Sequence, residues 1–316
     1  MKGLKKLGKS VKPVGILDYF LVTFAVVCWG GTFAATKYAI PEANPLMIVW
    51  GRLFFSIPVL FFVTLFEKHL RLPSKKEAIA LTVLSLQGLL FHQGLQGFAM
   101  RTAGATTSNW IIILVVPVMV ALIGHFFLNE KITGHAVAGF ATAIAGVILV
   151  VQYGTVKATG ENIKFGSVGD FMILLSGLNL AIYYIVSKWA MNKIGGSMSG
   201  DFMMFWEMLI SLIGATLVLP VFGVSLKEMA GYSVPTWYAL LYLGVFASAL
   251  AYLFWFRGFE VLPANKVVVF QSLQPIAGSV ISYFLIGERF TLWFFIGALL
   301  VMAGIWYVNK TKTAVR

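Results

Sequence analysis

The chain has 316 residues, of which 59% are hydrophobic, 15% are aromatic and only 11% are charged. An average soluble domain carries about 25% charged residues, so this composition excludes a typical soluble enzyme, a disordered chain and a small secreted disulfide scaffold. The net charge of +12 does not indicate nucleic-acid binding, because the basic residues concentrate at the termini and between apolar stretches. The single cysteine, Cys28, cannot form a disulfide within the chain.

Ten apolar stretches follow one another along the chain, and each is close to the length of about 20 residues that a membrane-spanning helix needs. They lie at residues 18–40, 46–66, 78–100, 106–128, 134–151, 169–191, 202–222, 236–256, 264–286 and 291–308. Backbone polar groups within lipid must be satisfied inside each segment, which favours helices. The sequence therefore predicts an all-α integral membrane protein with ten transmembrane helices.

Lysine and arginine are unevenly distributed between alternate connections. They crowd the segment before the first helix, the 67–77 connection and the C-terminal end. An excess of basic residues marks the cytoplasmic side of a membrane protein, so both termini are predicted to be cytoplasmic. The first apolar stretch is too long for a signal-peptide core. We expect a multi-pass protein of the plasma (inner) membrane of a bacterium or archaeon, and an organelle membrane is the alternative.

The two halves of the chain resemble each other at a constant offset of 158 residues. The matched pairs are Pro117 with Pro275, Glu130 with Glu288, Thr133 with Thr291, Gly139 with Gly297 and Gly146 with Gly304. The pattern predicts a first five-helix repeat at 1–151, a connecting loop at 152–168 and a second five-helix repeat at 169–316. Because five is odd, the second repeat must be inverted relative to the first, as in many secondary transporters.

Polar and aromatic side chains recur at helical spacing within several apolar stretches, where polar groups should face a cavity or the bundle interior. The candidate substrate-binding residues are Trp29, His92, Gln96, Asn109, Trp110, Asn179, Tyr183, Tyr252, Trp255 and Gln271. Aromatic faces with uncharged hydrogen-bonding groups suit a small amphipathic solute better than an inorganic ion. The alternative is that the polar groups join helices and that Trp29 and Trp255 anchor at the membrane interface.

Other intramembrane residues allow narrower hypotheses. Pro117 and Pro275 lack a backbone donor and are predicted to kink their helices as paired gating hinges. Arg52 and Glu207 either pair or reach an interface, and Lys266 either reaches the interface or contacts an anion. Without a carboxylate pair in the cavity-lining helices, the sequence favours facilitated diffusion or exchange over strong ion coupling.

The sequence resembles the drug/metabolite transporter superfamily, specifically the ten-helix exporters with two EamA-type domains. The likeness is carried by Trp29-Gly30-Gly31-Thr32-Phe33, Arg52-Leu53-Phe54, Pro117 with Glu130, and Pro275 with Gly287-Glu288. It implies export or facilitated passage of amino acids, related metabolites or drugs through a cavity lined by helices 1, 3, 4, 6, 8 and 9.

We therefore expect a secondary transporter of amino acids or related amphipathic metabolites that works by alternating access. The alternatives are a multidrug transporter, a nucleotide or sugar-phosphate exchanger of the same superfamily and, more remotely, a polytopic membrane enzyme. Phosphate loops and HExxH motifs are absent from the sequence. The expected partners are a small-molecule substrate and membrane lipid, with no nucleic acid, metal or cofactor, in a monomer or homodimer.

Overall fold

The computed structural model describes residues 15–128, 134–157, 159–160, 165–194, 198–261 and 270–310. In this part of the chain, seven helices are long and apolar enough to cross a membrane. Three shorter apolar helices, Ala105–Val120, Leu273–Ile286 and Leu292–Tyr307, occupy the places of the fourth, ninth and tenth predicted spans. The all-α membrane fold is confirmed, while the count of ten crossings stays a prediction.

We number the helices α1 to α10 in chain order. They are α1 (Ile16–Gly30 and Thr32–Ala39), α2 (Pro45–Phe66), α3 (Lys75–Ala99), α4 (Ala105–Leu128), α5 (Gly134–Leu149), α6 (Val168–Lys193), α7 (Gly200–Val218), α8 (Val234–Leu241, Tyr242–Leu250 and Ala251–Val261), α9 (Leu273–Ile286) and α10 (Leu292–Lys310). A π turn, Val150–Gly154, follows α5, and short 3₁₀ helices occupy Leu219–Phe222 and Leu226–Gly231.

The connecting loop between the repeats contains a short strand that the sequence did not predict. Strand β1 (Thr155–Val156) pairs antiparallel with β2 (Arg289–Phe290), with Thr155 opposite Phe290. Because β2 lies between α9 and α10, this pairing joins the connecting loop to the second repeat.

Helix starts follow from local sequence chemistry. Asn44 accepts a hydrogen bond from the Leu46 N–H while Pro45 occupies the first turn of α2, a position where proline costs no backbone bond. Ser167 and Asp170 form a capping box that begins α6. These signals hold the helix ends close to the predicted boundaries, within one residue at the start of both α2 and α6.

Helices α3 and α8 each contain a π-helical segment, Leu84–Phe91 and Tyr242–Leu250. Their first residues are 158 positions apart, which is the offset of the matched residue pairs. A π segment widens the helix, and such segments occur frequently at functional sites. Carbonyls in both segments accept hydrogen bonds from other helices. The two repeats therefore share the position of a π-helical segment as well as the matched residues.

Helices α5 and α10 cross with their backbones in contact. A Cβ added at Gly297 would lie 2.5 Å from the Gly146 carbonyl oxygen, and one added at Gly304 would lie 2.5 Å from the Gly139 carbonyl oxygen. The order of these contacts shows that the helices run antiparallel. Between the repeats, Gly139 matches Gly297 and Gly146 matches Gly304. A rotation that places each repeat on the other therefore turns the Gly146–Gly297 contact into the Gly139–Gly304 contact, as in an inverted repeat.

At one end of the bundle, a set of polar contacts, which we call the α4 clamp, ties three helices, α1, α6 and α9, to the start of α4. The Glu288 carboxylate accepts hydrogen bonds from the Ala105 and Thr106 N–H groups at 3.1 Å each. The Lys37 ammonium donates to the Ala103 carbonyl at 2.6 Å, and the Thr102 hydroxyl accepts from Gly169 N–H at 2.9 Å. A carboxylate at a helix N-terminus satisfies free donors and complements the helix dipole.

At the same end, Glu42 in the α1–α2 connection holds the start of α8. Its carboxylate accepts hydrogen bonds from Ser233 N–H at 2.9 Å and from the Thr236 hydroxyl at 2.7 Å. These donors favour the charged form and hold the pKa of Glu42 below its ordinary value. Their stabilisation is present above the ordinary glutamate pKa of about 4.3 and is lost as pH falls through the lower folded-state pKa.

We therefore expect Glu42→Gln to lower the melting temperature in detergent at pH 7. The difference from the unmodified protein should shrink as pH falls below about 4, because protonation also removes the charge from Glu42. Glu67→Gln, at an exposed glutamate in the α2–α3 connection, is the control. A difference that stays constant from pH 7 to pH 3 contradicts the assignment.

Candidate functional site

A polar cavity lies between the two halves of the bundle. It is lined by Trp29, Thr32, Phe33, Arg52, His92, Gln93, Gln96, Ile112, Leu180, Tyr184, Tyr252, Gln271 and Gln274, and its volume is about 30 Å³. That volume accommodates about one or two water molecules, whereas pockets for drug-sized ligands measure about 300–1,000 Å³. A metabolite can enter only after the lining helices separate.

Five predicted binding residues line this cavity: Trp29, His92, Gln96, Tyr252 and Gln271. Trp29 and Tyr252 form an aromatic wall in which the ring centroids are 5.1 Å apart at an interplanar angle of 70°. The Trp29 indole N–H donates to the Ala247 carbonyl in the π segment of α8 at 3.0 Å. This bond fixes the orientation of the ring, so one aromatic face of the wall is preorganised.

His92 is held between α3 and α6 as a hydrogen-bonded imidazole. Its Nδ1 lies 3.1 Å from the Ser176 carbonyl oxygen and 2.8 Å from the Ser176 hydroxyl, and its Nε2 lies 3.1 Å from Gln96 Nε2. A carbonyl only accepts, which assigns the proton to Nδ1, and the Gln96 amide then donates to Nε2. A neutral imidazole satisfies both partners, so the geometry favours a positioning role over that of a proton carrier.

Two other predicted binding residues join helices instead of lining the cavity. The Asn109 amide donates to the Gly30 carbonyl at 3.0 Å and accepts from Gln274 at 3.2 Å, which links α1, α4 and α9. Asn179 donates to the Gln87 carbonyl at 2.8 Å and accepts from the Gln87 side chain. Both asparagines follow the helix-joining alternative, because their amides are saturated by neighbouring helices.

The last three predicted binding residues are packed outside the cavity wall. Trp110 packs edge-to-face against Phe294 of α10, with ring centroids 5.8 Å apart. The Tyr183 hydroxyl donates to the Glu207 carboxyl at 2.7 Å. Trp255 packs against Trp29, one of the two rings of the aromatic wall, and the centroids of the two tryptophan rings are 5.1 Å apart. All three side chains are fully buried, so they support the site without facing its interior.

The gating prolines differ in their structural context. Pro117 lies inside the continuous helix α4. Pro275 lies in the first turn of α9, directly after a turn at Gln271–Ser272 that separates α9 from helical backbone at Phe270, so the helix is interrupted just before this proline and its gating role stays a prediction. Its missing N–H would have bonded the Gln271 carbonyl, which accepts from Gln274 N–H at 3.0 Å instead. The proline therefore ends a turn beside the cavity-lining Gln271.

The cavity contains polar groups that sequence reasoning left unassigned. Arg52 and Thr32 line it, as do Gln93 and Tyr184. The sequence alone shows Arg52 as an intramembrane charge on α2, but it does not show that this side chain lies beside α8, where its Nε donates to the Ser248 hydroxyl at 3.0 Å. The alternative of an Arg52–Glu207 pair is not formed, since Glu207 accepts from Tyr183. Lys266 and Glu130 lie outside the described residues.

The described residues contain no group of three His, Cys, Asp or Glu side chains that could hold a metal ion. Ion pairs in the described ranges lie near the opposite end of the bundle from the α4 clamp, at His69–Asp201 and Arg71–Glu77. Among the described residues that line the cavity, the Arg52 guanidinium is the one permanent charge, and the others are uncharged polar, aromatic or aliphatic side chains.

Comparisons with known proteins extend over nearly the whole chain. A family model described as the EamA-like transporter family matches residues 16–152 and residues 167–310. An uncharacterized transporter of Archaeoglobus fulgidus is 24% identical over 300 residues, covering 93% of this chain and 97% of the relative. A probable amino-acid metabolite efflux pump of Escherichia coli is 25% identical over 299 residues, covering 92% and 94%. One crystal structure superposes with a TM-score of 0.66 at 16% identity, over 92% of this chain and 95% of that one. This likeness shows the fold alone.

Proposed function

Because this chain belongs to the EamA-like transporter family, we propose that it carries small amphipathic metabolites, above all amino acids and related compounds, across its membrane. The protein is an integral multi-pass membrane transporter and not an enzyme. The observation that carries the substrate class is the central cavity, which is lined both by the Trp29–Tyr252 wall and by amide side chains such as Gln96 and Gln271. Aromatic faces hold an apolar group, while amides bind polar groups of either kind.

The route is alternating access around this cavity. The cavity of about 30 Å³ is closed to a metabolite, and the α4 clamp holds α1, α4, α6 and α9 together at one end. Opening toward that end must break the Glu288 bonds to α4, while opening toward the other end can leave them intact. We propose Pro117 in α4 and the turn before Pro275 as the positions where these helices bend.

We place the protein in the plasma (inner) membrane with both termini in the cytoplasm, on the strength of the basic residues near the termini. In this orientation the α4 clamp is on the outer side. Substrate and lipid are the proposed partners of a monomer or homodimer.

With both termini in the cytoplasm, a reporter inserted at Gly160 should be labelled from outside the cell. Labelling only after permeabilisation would contradict this orientation.

The experiment that tests the transport proposal uses purified protein in liposomes loaded with unlabelled phenylalanine. We expect labelled phenylalanine outside to exchange inward faster than in empty vesicles. Trp29→Ala should reduce the initial rate at low substrate concentration by up to about tenfold, because one aromatic contact contributes about 0.5–1.5 kcal/mol.

The matched control is Trp189→Ala, which removes a tryptophan that is 54% exposed on α6. This variant should retain the exchange rate of the unmodified protein. If a panel of amino acids and other amphipathic metabolites exchanges no faster than in protein-free vesicles, the proposed substrate class is wrong. An equal loss in both tryptophan variants would contradict the assignment of the cavity as the binding site.

A further inference from the structure

Arg52 places a permanent positive charge inside the transporter. It lies in the apolar helix α2, is only 5% exposed and lines the central cavity. A charged side chain within a membrane protein is costly unless a partner compensates it, and an unpaired guanidinium in such a place indicates a function.

Among the described residues, Arg52 has no acidic partner. The ion pairs in these ranges are His69–Asp201 and Arg71–Glu77. The buried Glu207 carboxyl accepts a hydrogen bond from Tyr183 and not from Arg52. The guanidinium carries five N–H donors, and its hydrogen bond in the described part of the chain is the one from Nε to the Ser248 hydroxyl. Four donors therefore have no protein acceptor there.

Two other residues that line the cavity, Gln93 and Thr32, also have polar groups without a hydrogen-bond partner among the described residues. Gln93 is 1% exposed, and both its amide nitrogen and its amide oxygen lack a hydrogen-bond partner among the described residues. The Thr32 hydroxyl, on a residue that is 6% exposed, also lacks one. Buried polar groups are normally satisfied, so the free groups of Arg52, Gln93 and Thr32 are available to water in the small cavity and to the polar atoms of a solute once the cavity expands.

We propose that Arg52 is the counter-ion for a carboxylate on the transported solute, with Thr32 and Gln93 supplying further hydrogen bonds. This inference rests on the proposed transport function and narrows its substrate class. Guanidinium and carboxylate match in a two-bond geometry, and the Trp29–Tyr252 wall receives the apolar part of the same molecule. No Asp or Glu is among the described residues that line the cavity, so no carboxylate in this set is placed to bind a positively charged amine.

The substrate class is accordingly an amphipathic carboxylate, in which the amino group is dispensable. An aromatic acid without an amine should bind much as the corresponding amino acid does. An aromatic amine without a carboxylate should bind poorly, because its charge would be added to that of Arg52 in a medium that screens charge weakly.

The test measures competition with labelled phenylalanine exchange in liposomes by two matched compounds. 3-Phenylpropanoate keeps the ring and carboxylate of phenylalanine and lacks the amine, while phenethylamine keeps the ring and amine and lacks the carboxylate. We expect 3-phenylpropanoate to compete within about tenfold of unlabelled phenylalanine and phenethylamine to be at least about 100-fold weaker, a factor that corresponds to about 2.8 kcal/mol.

Variants assign the effect to Arg52. Arg52→Gln should weaken competition by 3-phenylpropanoate at least about tenfold, and Arg52→Lys should restore part of it because the charge remains. Arg101→Gln, which removes an exposed arginine outside the cavity, is the charge-matched control. Since Arg52→Gln removes an uncompensated buried charge, the melting temperature of this variant should not fall. This measurement separates loss of binding from loss of folding.

The outcomes are distinguishable from failure of the transport proposal. If phenylalanine exchanges but phenethylamine competes as well as 3-phenylpropanoate, the carboxylate assignment is wrong while the transport proposal stands. The same conclusion follows if the folded Arg52→Gln protein keeps the competition profile of the unmodified protein. If phenylalanine and a wider panel of amphipathic metabolites do not exchange at all, the proposed function fails and this inference fails with it.

Discussion

Replacing Gly297 by alanine is expected to lower the free energy of unfolding by about 3 kcal/mol, the upper end of the usual range for overpacking. The new methyl group would lie 2.5 Å from the Gly146 carbonyl oxygen and 2.7 Å from Val150 Cγ2. A backbone carbonyl cannot rotate away as a side chain can, so α5 and α10 must separate. Denaturant titration of the purified protein in mixed micelles measures the effect.

Gly94→Ala provides the matched control, because a Cβ at this position in α3 meets nothing within 4 Å. In open space, glycine to alanine within a helix stabilises by up to about 1 kcal/mol. The two substitutions should therefore change stability in opposite directions. Equal stabilisation by both would contradict the close crossing of α5 and α10.

The second large effect is expected from Tyr183→Phe. The Tyr183 hydroxyl donates to Glu207 Oε2 at 2.7 Å, and Oε1 of the same carboxyl has no partner among the described residues. Both side chains are completely buried. Removing the hydroxyl leaves the carboxyl without its donor, which costs about 1–3 kcal/mol of unfolding free energy.

A double substitution tests the cause of this loss. Adding Glu207→Leu to Tyr183→Phe removes the unsatisfied carboxyl and should recover much of the stability, since an apolar pair can replace a buried polar pair at little cost. Tyr238→Phe, at a residue that is 68% exposed, controls for loss of a tyrosine hydroxyl. If Tyr183→Phe and the double variant are equally unstable, the hydrogen bond to Glu207 is not the source of the effect.

The helical fold could be predicted from sequence because the length of an apolar run is a local property. The start of α2 was predicted at residue 46 and lies at Pro45, where Asn44 caps the helix. Strand β1 was missed because its partner β2 is more than 130 residues away along the chain. A two-residue strand has no periodicity of its own, so only the tertiary arrangement shows it.

The candidate site was predictable only in part, because helical spacing shows that polar residues share a face but not what that face meets. Gln271 and Asn109 looked alike in sequence, yet Gln271 lines the cavity while Asn109 bonds Gly30 of another helix. Arg52 was noticed as an unusual charge, and only the packing of α2 against α8 reveals that it faces the cavity. A proline predicts an interrupted helix but not the form of the interruption, which before Pro275 is the turn at Gln271–Ser272.

The small volume of the cavity has a kinetic consequence. A chamber of about 30 Å³ admits no metabolite, so association must wait for an expanded form of the protein. The apparent dissociation constant then equals the intrinsic one divided by the fraction of molecules that are expanded. At high solute concentration the observed association rate should level off at the rate of spontaneous expansion, and substitutions that loosen the bundle should raise that plateau.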